Sequence, residues 1–388
     1  MYNTKKSIFK NRSQHLPVAL TGLSLGLSGL ATALDLILRN NINCIYNNYN
    51  GWWISIPLMF IATIIVLLVT FKHVLHPKIL IFDAKNSLAS SFLPTYSMTI
   101  MCIGGFLAGW QFHHGNIPIL QVIGAIILCL GVLIQIIFIF FFSIFVLKKH
   151  KWHNDSMYGS WFVPMVGIST ASTFAGRFND NILPLEFFQA IWFFAFISFL
   201  VLFPIITYSL LFKKKCDKEK FPSIAVNFAP PNLLLASFCQ SFAIPSLTPN
   251  TTIFDFNSNQ FINIMLIILI SFGFVYTIFL YLFIIRIFKI NKFDYIFASI
   301  TFPLAIGCIA TTNVSMYFNG LFNNNGILFM IQLANFFEIL GYVCTSIAAI
   351  LIIYIMIKFF IKSWHILFSN KFDNIKHQCY CKKGEKND

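Results

Sequence analysis

Charge is the scarcest commodity in this chain. Only 10% of its 388 residues are charged, and acidic side chains number 13. A water-facing surface needs roughly a quarter of its residues charged, so a soluble protein of this size is excluded. Hydrophobic residues make up 57% of the chain, and mean hydropathy is +0.76. Lipid is therefore the solvent for most of it. A cysteine framework is also missing. Of 9 cysteines, Cys102, Cys129, Cys239, Cys308 and Cys344 fall inside apolar runs as small core residues. Cys379 and Cys381 form a lone C-x-C beside His377, without the spacing of a four-ligand zinc site. No histidine lies within an apolar run, which argues against a histidine proton relay. No cluster of His, Asp and Glu marks one interface, which argues against an enzyme acting on lipid. No cofactor or metal site is indicated, and nucleic-acid binding is not expected despite a net charge of +14.

What is present is a series of apolar runs long enough to cross a bilayer, at 18–38, 52–71, 91–112, 117–147, 159–176, 187–211, 228–247, 261–285, 295–316 and 329–357. None contains Lys or Arg, and only Asp35 and Glu338 place a charge inside one. Backbone groups in lipid must be satisfied within the segment, so these runs predict helices. The 27 cations then divide unevenly. The N-terminus (Lys5, Lys6, Lys10, Arg12), the even-to-odd loops and the C-terminal tail hold 25, and the remaining loops hold only Arg39 and Arg177. This positive-inside asymmetry predicts both termini on the cytoplasmic side of a plasma-membrane protein. Runs such as Lys213, Lys214 and Lys215 read as interfacial anchors. The organisation expected is a cytoplasmic segment at 1–17, a ten-helix transmembrane domain at 18–357 and a basic cytoplasmic tail at 358–388.

The ten runs are of two kinds. Odd-numbered runs contain 37 Gly, Pro, Ser or Thr in 103 residues, and even-numbered runs 18 in 130. Small and hydroxyl residues favour close helix contact and polar interiors, whereas smooth Ile, Leu and Phe suit lipid. The expected fold is all-α: five helical hairpins, with odd helices as an inner ring around a pore and even helices outside. Proline spacing gives the same unit. Pro94, Pro164, Pro231 and Pro303 are 70, 67 and 72 residues apart, one per odd run, and Ser24 takes the equivalent place in the first. A proline frees a carbonyl one turn back, which is tolerated beside a wet cavity. Such a ring offers anions partial positive charges without a full cation, which suits passage better than capture.

Five short motifs carry a resemblance. L-P-V-A-L-T-G-L-S-L-G-L-S-G-L-A at 16–31, S-F-L-P-T-Y-S-M-T at 91–99, W-F-V-P-M-V-G at 161–167, F-A-P-P-N at 228–232 and S-I-T-F-P-L-A at 299–305 occur in order, one per odd run. Together they resemble the tellurite-resistance and dicarboxylate transporter family, which includes TehA-like bacterial proteins, a fungal malate permease and the slow-type anion channels of plants. The resemblance implies five hairpins around a pore, a homotrimer, and an occluding phenylalanine next to the ninth-helix proline, matched here by Phe302. The family's first-span proline is replaced by Ser24, so selectivity does not carry over.

Individual residues divide by role. Phe302 is the candidate pore gate, and Ser24, Pro94, Pro164, Pro231 and Pro303 are the candidate kink positions. Glu338 is the candidate coupling acid, read also as a structural carboxyl bonded to an inner-helix hydroxyl or carbonyl. Asp35 is expected at the interface or an outer vestibule. Gly22 with Gly26 and Gly105 with Gly109 read as close-packing G-x-x-x-G pairs. Thr95, Ser97, Ser169, Thr170, Ser172 and Thr301 are candidate pore-lining hydroxyls. His113 and His114 read as a solvated turn, and Asn250-Thr251-Thr252 matches a glycosylation acceptor. The leading function is a passive or weakly coupled, channel-like pathway for small anions such as chloride, nitrate, sulfite, tellurite or a dicarboxylate such as malate. The alternative is a proton-coupled carrier of malate-type dicarboxylates, or a tellurite or sulfite carrier of the same family. A scaffold role leaves the polar, proline-bearing helices without a purpose.

Overall fold

The computed structural model describes residues 16–40, 52–110, 117–147, 161–209, 218–247 and 258–368, and every regular element among them is helical. The basic N-terminus, Lys213–Lys215, His113, His114, Asn250–Thr252 and the His377–Cys381 group lie outside the described residues. The α-helices are α1 (Leu20–Asn40), α2 (Trp52–Leu75), α3 (Pro77–Lys85), α4 (Ser87–Phe92), α5 (Pro94–Ala108), α6 (Pro118–Phe142), α7 (Phe162–Val166), α8 (Leu185–Tyr208), α9 (Ala229–Phe238), α10 (Ser258–Ile290), α11 (Ala298–Asn325) and α12 (Leu328–Phe368).

Among the described residues, eight helical stretches are long and apolar enough to cross a membrane. The expected spans 159–176 and 228–247 are not among them, and the reason is local. After α7 the chain tightens into a 3₁₀ helix over Gly167–Arg177. That run, G-I-S-T-A-S-T-F-A-G-R, is rich in residues with weak α preference. The other segment enters as a 3₁₀ helix (Lys218–Phe228), becomes α9, then widens into a π turn (Cys239–Ala243). A 3₁₀ helix rises about 2.0 Å per residue against about 1.5 Å for α. The 5 residues of α7 and the 11 of its 3₁₀ continuation therefore extend about 30 Å, the thickness of a bilayer's hydrocarbon core.

Burial separates two populations. The first, third and ninth segments are 94%, 83% and 89% buried within the chain. All of α9 and all of Gly167–Arg177 except Gly176 are buried as well. The second, fourth, sixth, eighth and tenth segments are only 22–33% buried and present rows of Ile, Leu and Phe outward. Each buried segment packs against the next. α1 meets α5, α5 meets the 3₁₀ run, the 3₁₀ run meets α9, α9 meets α11, and α11 returns to α1. Each also carries its sequence neighbour on the outside: α2 on α1, α6 on α5, α8 on the 3₁₀ run, α10 on α9 and α12 on α11.

Missing side chains make these contacts close. Gly22, Gly26 and Gly29 lie against Ala298, Thr301 and Ala305, and the Thr301 side chain fills the space where a Cβ on Gly26 would sit. A Cβ on Gly104 would stand 2.6 Å from the Gly124 carbonyl oxygen, so α5 and α6 touch backbone to backbone. Two helices outrun their expected ends. α11 continues to Asn325 and stops at Gly326, whose left-handed φ of 68° directs its N–H to the Phe322 carbonyl. α12 continues to Phe368, because a charge ends an apolar run without ending a helix. Lys362 on this extension pairs with Asp294 at 2.7 Å and lies over the Tyr295 ring.

Candidate functional site

Three of the four repeat prolines stand at the start of a helix. Pro94 opens α5 one residue after α4 ends, Pro164 and Pro231 are the third residues of α7 and α9, and Pro303 is the sixth residue of α11. In a first turn the missing proline N–H costs no hydrogen bond, so of these four Pro303 alone interrupts a helix interior, as Pro57 of α2 and Pro204 of α8 do in the outer set. Ser24 sits in the unbroken α1 and donates its hydroxyl to the Ala62 carbonyl of α2 at 3.0 Å.

Orphaned backbone is met by amides from neighbouring segments. Where an α-helix passes into 3₁₀ the ladder shifts from i−4 to i−3 and skips a carbonyl. Gln135 of α6 supplies the donor there, to the Pro164 carbonyl at 2.7 Å and the Val163 carbonyl at 3.2 Å. Its oxygen receives the Ser97 hydroxyl, which also lies 2.8 Å from the Pro94 carbonyl. Around α9, Trp192 donates to the Leu234 carbonyl at 3.0 Å, and Asn313 to the Ala236 carbonyl at 3.1 Å. Gln240 donates to Asn313 at 3.0 Å. Sequence reasoning missed these amides because it searched the spans for charge. The available signal was one or two Gln or Asn in otherwise apolar runs, each a group that needs a partner when buried.

The expected pore-lining hydroxyls mostly tie segments together. Thr95 donates to Thr21 at 2.7 Å, Thr301 lies 3.1 Å from the Gly22 carbonyl, Ser169 meets Ser237 at 2.7 Å, and Ser172 donates to the Phe188 carbonyl at 2.8 Å. Thr170 differs: its hydroxyl oxygen is buried and has no hydrogen-bond partner among the described residues. Phe302 is 8% exposed, held between Pro303 and the Thr301 that fills the Gly26 notch. Glu338 is half-buried on α12, accepts the Tyr342 hydroxyl at 3.1 Å, and lines a small pocket with Ile37, Thr312 and Ser315.

Asp35 and Arg177 are where the structure departs furthest from expectation. Asp35 is not at a solvated interface, and Arg177 is not in a loop. Both are buried, and they pair at 3.0 Å. Arg177 also lies 3.4 Å from the Gly105 carbonyl, and its guanidinium sits 5.3 Å from the Phe174 ring centre. The 3₁₀ run carries Arg177 inward as its last residue, so the inner segments do hold a buried cation. Gly105 and Gly109 are small for this reason: side chains there would strike Phe174 and the guanidinium.

Compared one by one with curated proteins, the chain matches none. Compared with family models, residues 15–360 match SLAC1, described as voltage-dependent anion channel, which takes in all five proline- or serine-marked segments. By its motifs, its two populations of helices and this match, the chain belongs to the voltage-dependent anion channel family, the one its sequence motifs resembled.

Proposed function

We propose that small anions cross the membrane along the axis enclosed by the five buried segments. The observation that carries this reading is the closed cycle of contacts, first to third to fifth to seventh to ninth and back to the first, among segments rich in Gly, Ser and Thr. The extended reach of the 3₁₀-containing segments supports ten crossings in five hairpins. The uneven cation count supports cytoplasmic termini in a plasma membrane. Apolar outward faces on the even segments suit lipid and the contacts of a homotrimer. Phe302 closes the path: an aromatic ring in a narrow apolar passage blocks ions by size and by excluding water. Thr170, an unpartnered hydroxyl on the inner wall, offers a passing anion a weak hydrogen bond. Cargo in this reading is a small inorganic anion such as chloride, nitrate, sulfite or tellurite.

A second reading, proton-coupled dicarboxylate transport, is favoured by one observation. Glu338 shares a pocket with inner-segment hydroxyls of Thr312 and Ser315. Reconstitution into liposomes separates the two. Ohmic chloride or nitrate current, insensitive to a pH gradient, supports the channel. Saturable malate uptake that needs a proton gradient and disappears in Glu338→Gln supports the carrier. Absence of both overturns the proposal.

A further inference from the structure

The buried Asp35–Arg177 pair occupies a telling position. In the contact cycle the third segment packs between the first and the fifth. Asp35 belongs to the first and Arg177 to the fifth, yet they meet at 3.0 Å. A bridge between them must pass the third segment on one of its two sides. Its outer side is covered by α2 and α6. The bridge crosses at the last turn of the third segment, where Arg177 reaches the Gly105 carbonyl and abuts Gly109, the residue that caps α5. Gly104, next to Gly105, is the residue that meets α6, so the pair lies on the face of that last turn turned away from the outer helix.

The remaining two segments reach the same level. Gln240 of the seventh lies against Gly176, its Oε1 2.7 Å from where a Cβ would stand, and it donates to Asn313 of the ninth at 3.0 Å. Asp35, the Gly105 carbonyl, Arg177, Gln240 and Asn313 thus contribute one polar group from each of the five segments. Asn313 is 11 residues beyond Phe302 on α11, about 16 Å along a helix. Two separate levels result, one apolar at Phe302 and one charged.

We propose that this second level is a collar that selects anions, with Arg177 as its specificity-determining residue and Asp35 as a tethered competitor for it. The inference rests on the permeation reading above. An unpaired guanidinium in a dry wall would hold an anion too tightly to release it. A carboxylate already seated on it lets an arriving anion exchange with Asp35 and depart. Chloride, nitrate and other compact monoanions fit this chemistry, and cations are repelled by the guanidinium and offered only a carboxylate that is already engaged.

The test uses the full chain in planar bilayers under a potassium nitrate gradient, comparing Asp35→Asn, Arg177→Gln and the double variant. The double variant keeps a hydrogen-bonding pair of similar shape, so it remains informative if either single variant fails to fold. The collar predicts that the reversal potential of the double variant moves toward zero as anion preference is lost. Asp35→Asn, with its guanidinium released, should reach half-saturation at a nitrate concentration lower by on the order of tenfold. A double variant with wild-type reversal potential and saturation overturns the collar. A wild-type chain that carries no anion current removes the permeation reading itself, a distinct outcome.

Discussion

The inner and outer segments alternate along one chain and obey different rules. Outer helices such as α6 and α10 are long α-helices with Ile, Leu and Phe on exposed faces, and their irregularities are local: a π turn (Ser143–Leu147) at the end of α6, and single interior prolines, Pro57 in α2 and Pro204 in α8. Inner segments wind through 3₁₀ and π geometry in the fifth and seventh, carry the regularly spaced prolines, and bind one another through hydroxyls, amides and bare glycine backbone. In lipid, an irregular backbone persists only where other groups satisfy it. The contrast teaches that irregularity here is supported from outside: Gln135 and Trp192, both on outer helices, serve carbonyls of inner ones.

The contrast breaks most visibly at the first–ninth contact. Gly26→Val should force Thr301 out of its notch and cost about 1–3 kcal/mol or more, read as lost thermal stability in detergent. The matched substitution on the lipid face, Phe60→Ala, removes a side chain that is 65% exposed and should stay within about 0.5 kcal/mol. Equal effects would erase the distinction between the two populations. Phe302→Ala should raise anion conductance in single-channel recordings, and unchanged conductance in a correctly inserted protein would remove the gate assignment. Gln135→Leu tests the support given from outside: an unpartnered Pro164 carbonyl should cost about 1–3 kcal/mol, measured by thermal unfolding. The smallest effect on stability belongs to Thr170→Val, because its hydroxyl loses no partner. If that hydroxyl serves the anion with a bond of about 0.5–1.5 kcal/mol, half-saturating nitrate should rise by a factor of about 2 to 10 with the melting temperature unchanged.

Much of the inner–outer division was legible in the sequence, because composition alone separates segments that face protein from those that face lipid. The G-x-x-x-G pairs were legible too, though only coordinates reveal that Gly26 receives Thr301 and Gly109 a guanidinium. The 3₁₀ run was not. Gly167–Arg177 lies inside a run apolar enough to read as an α-helical span, and its Gly, Ser and Thr, which weaken the α preference, read as pore-lining groups and not as a sign of tighter winding. Arg177 was misplaced for the same reason, since 3₁₀ geometry decides where its side chain emerges. Ser24 and the prolines share a place in the repeat but not a local setting: Pro94, Pro164 and Pro231 stand in first turns, whereas Ser24 and Pro303 lie inside helices.

Tight winding has one more effect. Three residues of a 3₁₀ helix climb about 6 Å, the same as four residues of α-helix. Ser169 and Ser172, three apart, come level with Ser237 and Ser241, four apart where α9 passes into its π turn on the facing segment. Ser169 meets Ser237 at 2.7 Å, and Ser241 reaches the Ser172 carbonyl at 3.2 Å. The two walls mesh like rulers with different divisions, so rewinding one by a single turn would slide every rung of that ladder out of step.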